Sequence, residues 1–260
     1  MLLNSQKDTT SYFGQTTTAK ANFNLSRLAI LAIMGGAYIA FGAFLTVAVV
    51  GGIPDISEGA ARFISGALFP VGLILISLTG VDLFTSNCAG VVLSRQIDKT
   101  PYSKLVKLLI LSFLLNFVGT QLLAYLFAYS TGSLEGVKPY LHELAETKVN
   151  SSPYAIFIKG IAANWLVCAG TWMGYAAKDM AGKCIGIWVP IMLFVTLGFE
   201  HSIANMFYIP AAIYSGADIT WMSFITDNLI YATLGNLVGG ALFIGAVHGF
   251  LHIKCENNNI

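Results

Sequence analysis

The residues of this chain that are best suited to chemistry lie together in one short polar segment, Gly198-Phe199-Glu200-His201-Ser202-Ile203-Ala204-Asn205. The segment holds a carboxylate, an imidazole, a hydroxyl and an amide, and apolar runs over 185–197 and 206–213 flank it. Polar and ionisable groups in the middle of a membrane segment are costly and usually serve a function. An imidazole at such a position can attract an anion or exchange a proton with it. We therefore expect His201 to lie at the centre of the functional site.

The composition of the chain indicates its class. Hydrophobic residues make up 56% and charged residues 10% of the 260 residues, which leaves too few polar groups to cover the surface of a soluble domain. The sequence therefore predicts an integral membrane protein. The net charge is only +1 and there is no long basic run, so nucleic acid is not expected as a partner. The four cysteines form no C-x-x-C pair, and neither a metal nor another cofactor is expected.

Six stretches are long and apolar enough for a membrane helix, which needs about 20 mainly apolar residues. The predicted fold class is therefore an all-α polytopic membrane protein. Its predicted parts are a soluble N-terminal arm over residues 1–24, a six-helix transmembrane domain over 25–253 and a short C-terminal tail over 254–260. The six stretches are residues 28–50, 61–93, 105–129, 154–177, 184–213 and 224–251.

The lysines and arginines predict the orientation of these spans. If the N-terminus is cytoplasmic, ten of them lie on the cytoplasmic side and four on the outer side. Because cytoplasmic loops carry an excess of positive residues, this distribution favours both termini in the cytoplasm. The outer side then includes the longest connection, 130–153, in which a short surface helix is expected over 140–148.

Two of the six stretches are too long for one plain helix and are interrupted in comparable ways. The second contains Gly80-Val81-Asp82, and the fifth contains Gly198-Phe199-Glu200. Each is the middle span of a three-span half, so an odd number of crossings turns the second half upside down relative to the first. This pattern predicts an inverted 3+3 repeat with broken helices 2 and 5. Paired interruptions at corresponding positions are typical of a permeation or substrate site near the membrane midplane.

Several segments carry a resemblance to a known family, namely Leu83-Phe84-Thr85-Ser86, the run from Gly198 to Phe207, Asn228-Leu229-Ile230 and Gly235-Asn236. They resemble the signature segments of the formate/nitrite transporter family of bacterial anion channels, and the likeness extends over residues 20–253. The resemblance implies an aquaporin-like helical fold and a homopentamer in the bacterial inner membrane, with one pore through each protomer and no enzymatic activity. The hydrosulfide branch is favoured, although no motif separates it from the formate and nitrite branches.

The resemblance also assigns roles to single residues. His201 corresponds to the central pore histidine, and Thr85 corresponds to its hydroxyl partner from the other broken span. Asp82 stands where many relatives have glutamate, so the role of this carboxylate transfers less directly. Apolar residues that narrow the pore on either side of the histidine correspond to Phe69, Leu73, Leu83 and Phe194, and residues of the outer vestibule correspond to Lys148 and Asn164.

Three polar residues, Asp82, Glu200 and Asn205, are expected to support the helix breaks. Two carboxylates along an anion pore would repel the cargo, so we expect Asp82 and Glu200 to cap free backbone N–H groups of the restarting helices. Lys159 lies near a span end, where lysine side chains usually extend to the lipid headgroups. His248 and His252, spaced i to i+4, are interpreted as histidines at the membrane interface and not as metal ligands.

Two mechanisms follow for a small monovalent anion, because an anion that leaves water for an apolar passage loses a large hydration free energy. With an unperturbed pKa of about 6.5, His201 either attracts the anion as an imidazolium or exchanges a proton with it, so that the cargo crosses as the neutral acid. Alternatively, the ion crosses unprotonated, steered by Lys148 and by amide donors at the broken helix ends. The residues leave both mechanisms open.

Functions of other classes use some of the same features. A proton-coupled secondary carrier of formate or nitrite would share every residue with a channel. For a neutral-solute channel of the aquaporin or ammonia type, the paired Asn-Pro-Ala motifs expected for water or glycerol are missing. An intramembrane metalloprotease needs metal ligands such as H-E-x-x-H, whereas this chain has Glu200-His201 in the reverse order and no second histidine nearby.

Overall fold

The computed structural model of the protein describes residues 3–255. Over these residues the chain is helical, and the only β pairing within this range is an isolated bridge between Leu3 and Ala177. The predicted all-α class is therefore confirmed. Residues 256–260 of the predicted C-terminal tail lie outside the described residues, as do residues 1 and 2 of the predicted N-terminal arm.

The helices are named here in chain order, and continuous helical runs count as one helix. The last two turns of the third long helix and parts of the final helix are π-wound, over Leu122–Tyr129, Phe224–Leu229, Gly239–Ala246 and Phe250–Cys255. The helices are α1 Gln6–Ala21, α2 Leu25–Val50, α3 Glu58–Leu68, α4 Val71–Thr79, α5 Phe84–Ile97, α6 Tyr102–Tyr129, α7 Lys138–Val149, α8 Pro153–Ala176, α9 Met180–Thr196, α10 Ser202–Tyr214 and α11 Trp221–Cys255.

Five of these helical runs are long and apolar enough to cross a membrane, namely α2, α3 with α4, α6, α8 and α11. The fifth predicted stretch is not one long helix, because α9 has 17 residues and the chain breaks before α10. The second predicted stretch likewise consists of α3 with α4 and, after a break, α5. The two overlong stretches are thus the broken helices 2 and 5 of the repeat.

Both breaks begin at a glycine in the left-handed backbone region. Gly80 has φ 72° and ends α4, and Gly198 has φ 67° and follows α9. A side chain at such φ values is strained, whereas glycine adopts them freely. Three residues separate each glycine from the first residue of the restarting helix, Phe84 or Ser202. The same turn therefore interrupts the middle span of each half.

The N-terminal arm is a helix that packs on the membrane domain. Phe13 is buried, and its ring lies 5.2 Å from that of Tyr175 on α8. Trp172 Nε1 donates to Thr10 Oγ1 at 3.1 Å. The last turns of α11 also contact α1. The described parts of both terminal segments therefore lie at the same end of the helix bundle, and α7, which follows α6, lies at the opposite end.

Helices α2 and α6 approach so closely at Gly119 that a side chain has no room there. A Cβ at this position would lie 2.0 Å from the carbonyl oxygen of Ile33 on α2. We expect Gly119→Ala to push the two helices apart and to destabilise the protein by about 1–3 kcal/mol. The measurement is the melting temperature of the purified protein in detergent.

The matched control is Gly136→Ala, because a Cβ at Gly136 meets no atom within 4 Å. Its melting temperature should equal that of the wild type. If the two alanine variants melt at the same temperature, the close contact between α2 and α6 contributes nothing measurable.

Candidate functional site

The two helix breaks meet at a hydrogen bond between Thr85 and His201. Thr85 lies in the first turn of α5, and His201 immediately precedes α10. Thr85 Oγ1 is 3.0 Å from His201 Nε2, and the two residues are 0% and 2% exposed. The N-termini of both restarting helices therefore face one point in the interior. A helix N-terminus carries a partial positive charge and unpaired N–H groups, and it favours an anion.

The hydrogen bonds of His201 define its protonation state. The backbone N–H of Ala204 donates to His201 Nδ1 at 3.1 Å, so His201 is the N-cap of α10. Nδ1 must then be unprotonated, and the proton of the neutral ring is on Nε2, which donates to Thr85 Oγ1. An imidazolium would lose this cap, which stabilises by about 1 kcal/mol, and would place a cation at the positive end of α10. The observed geometry is that of a neutral histidine.

An asparagine from the following span closes the first break. Asn116 on α6 accepts from the N–H of Phe84, the first residue of α5, at 2.8 Å. Its amide donates to the carbonyl oxygen of Asp82 at 3.0 Å and to that of Ala32 on α2 at 2.6 Å. One buried side chain thus satisfies a free donor and a free acceptor of the break.

Asn236 closes the second break in the same way. It accepts from the N–H of Ser202 at 2.8 Å, and its amide donates to the carbonyl oxygens of Glu200 at 2.9 Å and Gly160 at 2.8 Å. Asn116 and Asn236 are both 0% exposed. The inverted repeat therefore extends from the hydropathy pattern to individual hydrogen bonds.

Side chains surround the two carboxylates, which corrects the prediction that these groups cap helices. The Glu200 carboxylate accepts from the amide of Asn205 at 2.6 Å and from the amide of Asn228 at 3.4 Å. The ammonium of Lys148 lies 3.1 Å from both carboxylate oxygens of Glu200. Around Asp82, the amide of Asn87 donates at 3.0 Å, Ser112 donates its hydroxyl, and the ammonium of Lys20 lies 3.0 Å away.

The prediction of capping was wrong because of position. Asp82 and Glu200 each stand two residues before the first helical residue, so the N-cap positions belong to Leu83 and His201. Among the described residues, the donors to both carboxylates are side chains. Asn205 supports its break by holding Glu200.

The lysine of the first carboxylate site comes from the N-terminal helix. Lys20 lies in the last turn of α1, and its side chain is 12% exposed. Burial lowers the pKa of Lys20, but the facing Asp82 carboxylate and Tyr175 outweigh it and leave the pKa above its ordinary value. Lys20 is therefore a cation that fixes α1 to the first break.

Next to His201, the rings of Phe69 and Phe194 form a cluster that is called the apolar collar here. The ring centroid of Phe194 lies 5.8 Å from that of His201 and 5.8 Å from that of Phe69. Phe69 on the turn between α3 and α4 is 6.4 Å from His201. Leu73 on α4 and Leu83 before α5 are buried, at 2% and 0% exposure. The four predicted constriction residues are thus all buried, and two of them contact the histidine ring.

A cavity of about 450 Å³ leads to this collar from the end of the bundle opposite to α1. Lys148 contributes to its wall, as do Glu200 and Asn205, and the cavity extends to Phe69, Phe194 and His201. Leu73, Leu83 and Thr85 are not among the described residues of the wall. Lys148, which was predicted to lie in the outer vestibule, therefore lines the same cavity as His201, and this cavity is called the vestibule below.

Asn164 lies elsewhere. This residue on α8 is fully buried, and its amide donates to the carbonyl oxygens of Thr85 at 3.1 Å and Asn236 at 2.6 Å. It is not part of the cavity wall. Asn164 instead joins the first turn of α5 to α11, and so supports the position of Thr85.

The histidine pair near the end of α11 does not form a cluster of metal ligands. The ring centroids of His248 and His252 are 5.4 Å apart, and His248 packs against Trp172 at 5.1 Å. In the described part of the chain, no group of three or more His, Cys, Asp or Glu residues is placed to hold a metal ion.

Sequence reasoning missed most of the partners that hold the site together. They share a visible signal, since each is a polar amide, hydroxyl or ammonium group in or beside an apolar span. What the sequence did not provide was the pairing, which joins residues far apart in the chain. The partners to which the sequence analysis gave no role are Lys20, Asn87, Ser112 and Asn116, together with Asn228 and Asn236 of the signature segments.

Comparisons with known proteins agree with this architecture. The profile of the family described as "Formate/nitrite transporter" matches residues 7–250. An uncharacterized transporter, YrhG of Bacillus subtilis, is 40% identical, over 92% of this chain and 90% of that protein. The formate channel BtFdhC of Bacillus thuringiensis is 36% identical, over 92% of both chains. A solved structure described as a pentameric formate channel with formate bound superposes with a TM-score of 0.77 at 30% identity, covering 88% of this chain and 98% of that chain.

The ion pair between Lys148 and Glu200 is buried, with side chains 12% and 6% exposed. Removing one partner leaves an uncompensated charge in the protein interior, so we expect Lys148→Met to destabilise the protein by about 3 kcal/mol. The double variant Lys148→Met, Glu200→Gln should regain part of this loss, because no unpaired charge remains. Melting temperatures of the three proteins in detergent measure both effects.

The control is the exposed ion pair of Arg62 and Glu58, in which Nη2 lies 2.5 Å from Oε1. The two side chains are 55% and 79% exposed. Exposed pairs contribute at most about 1 kcal/mol, so Arg62→Met should melt close to the wild type. If Lys148→Met also melts there, the lysine does not stabilise the buried carboxylate.

Proposed function

The chain belongs to the formate/nitrite transporter family, and from this premise we propose that it is a homopentameric channel for small monovalent weak-acid anions. Members of this family are transporters and channels, so the protein is not an enzyme. It is a multi-pass membrane protein. The contact that carries the proposal is the hydrogen bond of 3.0 Å between Thr85 and His201, because it places two helix N-termini and one N–H donor at the end of an apolar collar.

At this point, donors of the protein would replace the hydration that a permeating anion loses. The neutral ring of His201 presents its Nε2–H towards Thr85, and an arriving anion competes with that hydroxyl for the proton donor. The dipoles of α5 and α10 add a positive potential without a net charge. Fixed donors of this kind act strongly in a dry site, because they need no reorganisation when the ion arrives.

We infer that the cargo crosses the centre as the anion. Proton exchange with His201 requires an imidazolium, and forming one would break the cap on Ala204. Conduction past a fixed N–H donor leaves this hydrogen bond intact. The aromatic collar of Phe69 and Phe194 and the buried Leu73 and Leu83 would then limit the size of the ion.

Formate is the cargo that we propose first, because a relative at 36% identity is named a formate channel and a superposable structure is described as binding formate. Hydrosulfide, which the sequence resemblance favoured, and nitrite are anions of the same charge and class. No contact of the described residues distinguishes among them, so the three belong in one transport assay.

The proposed assembly and location follow from the same comparisons. A homopentamer is supported by the pentameric channel of similar fold. We place the protein in the bacterial inner membrane, as the resemblance implies. Both termini then lie in the cytoplasm, since this orientation puts ten of its 14 lysines and arginines inside. The vestibule with Lys148 would open to the outside.

His201 is tested with two variants that separate its roles. His201→Asn keeps an acceptor suited to the N-cap but lacks the Nε2–H, and His201→Ala lacks both groups. We expect formate flux into liposomes to fall by at least about tenfold in both variants. Only His201→Ala should also lose thermal stability, by about 1 kcal/mol. Wild-type flux in both variants would remove the histidine from conduction.

The driving force of the flux separates a channel from a proton-coupled carrier. In liposomes we expect formate uptake to follow an imposed membrane potential, positive inside, at equal pH on both sides, because an unaccompanied anion carries charge. A pH gradient at zero potential should add little. The assay is repeated with nitrite and hydrosulfide to rank the cargoes. Uptake that ignores the potential and follows the pH gradient would instead support the carrier.

A further inference from the structure

The vestibule above His201 has a wall in which positive and negative side chains are equal in number. Four of these side chains form two ion pairs. Arg62 Nη2 lies 2.5 Å from Glu58 Oε1, and Lys148 Nζ lies 3.1 Å from Glu200 Oε1. The six charged residues of the wall are Glu58, Arg62, Glu143, Lys148, Lys159 and Glu200.

Two charges of the wall, Lys159 and Glu143, have no ion-pair partner among the side chains that the structure describes, those of residues 3–253. Lys159 lies on α8 and is half-buried, and Glu143 lies on α7 and is exposed. The electric field of an ion pair in contact falls off quickly with distance, because its two opposite charges cancel. The potential that an approaching anion meets is therefore set mainly by these two residues.

The backbone beside Lys159 is held firmly in place. The next residue, Gly160, packs against α11 so closely that a Cβ there would lie 3.0 Å from the carbonyl oxygen of Ala232. The Lys159 side chain leaves this packed helix and contributes to the cavity wall. The sequence predicted that this side chain extends to lipid headgroups, and the structure places it on the wall of the approach to the site. Low-dielectric walls concentrate the field of such a charge.

We propose that Lys159 is the anion-capture residue of the vestibule and that Glu143 opposes it. This inference rests on the proposed function, since it concerns the anion before it reaches His201. Lys159 raises the local concentration of a small monovalent anion, and Glu143 lowers it. The balance of the two sets the concentration at which flux is half-saturated, without either residue taking part at the constriction.

The test is formate flux into membrane vesicles of uniform orientation, with formate added on the vestibule side at low ionic strength. We expect Lys159→Gln to raise the half-saturating formate concentration about threefold and Glu143→Gln to lower it by a similar factor. Lys159→Arg should behave as the wild type, because it retains the charge. Both shifts should shrink towards zero in high salt, where screening is nearly complete.

The matched control is Lys138→Gln, which removes the same charge from α7 outside the cavity wall, where Lys138 pairs with Glu135 at 2.6 Å. Its half-saturating concentration should equal that of the wild type. The capture role is overturned if Lys159→Gln matches Lys138→Gln, or if its shift persists in high salt. A wild-type protein that carries no formate would overturn the proposed function itself, which separates the two failures.

Discussion

The structure depends on satisfying the backbone where two membrane helices are broken in an apolar interior. Each break frees N–H and C=O groups that water cannot reach, and an unsatisfied group there would cost several kcal/mol. Asn116 and Asn236 solve this problem once in each half, since each accepts from the first N–H of the restarting helix and donates to the carbonyl oxygen of Asp82 or Glu200. Because these amides come from the neighbouring spans, the geometry of each break is fixed by the packing of the whole half.

The two breaks share a scaffold but differ at the position that matters for chemistry. The N-cap of α5 is Leu83, which provides no side-chain hydrogen bond, and the N-cap of α10 is His201, which accepts from Ala204. At the N-cap position, the first half of the repeat therefore has the apolar side chain of Leu83 and the second half has the imidazole of His201. Only one half supplies the central N–H donor, and the other half supplies the hydroxyl of Thr85 that receives it.

The parts of the structure that were predictable are those written in local patterns. Apolar runs predicted the spans, and a Gly-x-acid sequence marked both breaks, at Gly80 and Gly198. The α7 helix also contains the predicted segment 140–148. The hydrogen-bond partners were not predictable, because Lys20 reaches Asp82 and Asn236 reaches Ser202 across long chain separations. That Lys159 lines a cavity was not predictable for a related reason, since position along a span does not tell whether a helix face meets lipid or an internal cavity.

The pairing of the carboxylates resolves the apparent conflict between acidic residues and an anion path. Asp82 and Glu200 each face a lysine at about the distance of a hydrogen bond and also accept from side-chain amides. Each site is therefore neutral as a unit, and its field decays over a short distance. The dipoles of α5 and α10 have no such compensation at the point where Thr85 meets His201. The lysines that neutralise the acids belong to α1 and α7, outside the spans. These two helices thus remove the repulsion that the acidic residues would otherwise exert, and they leave the helix N-termini to determine the sign of the ion.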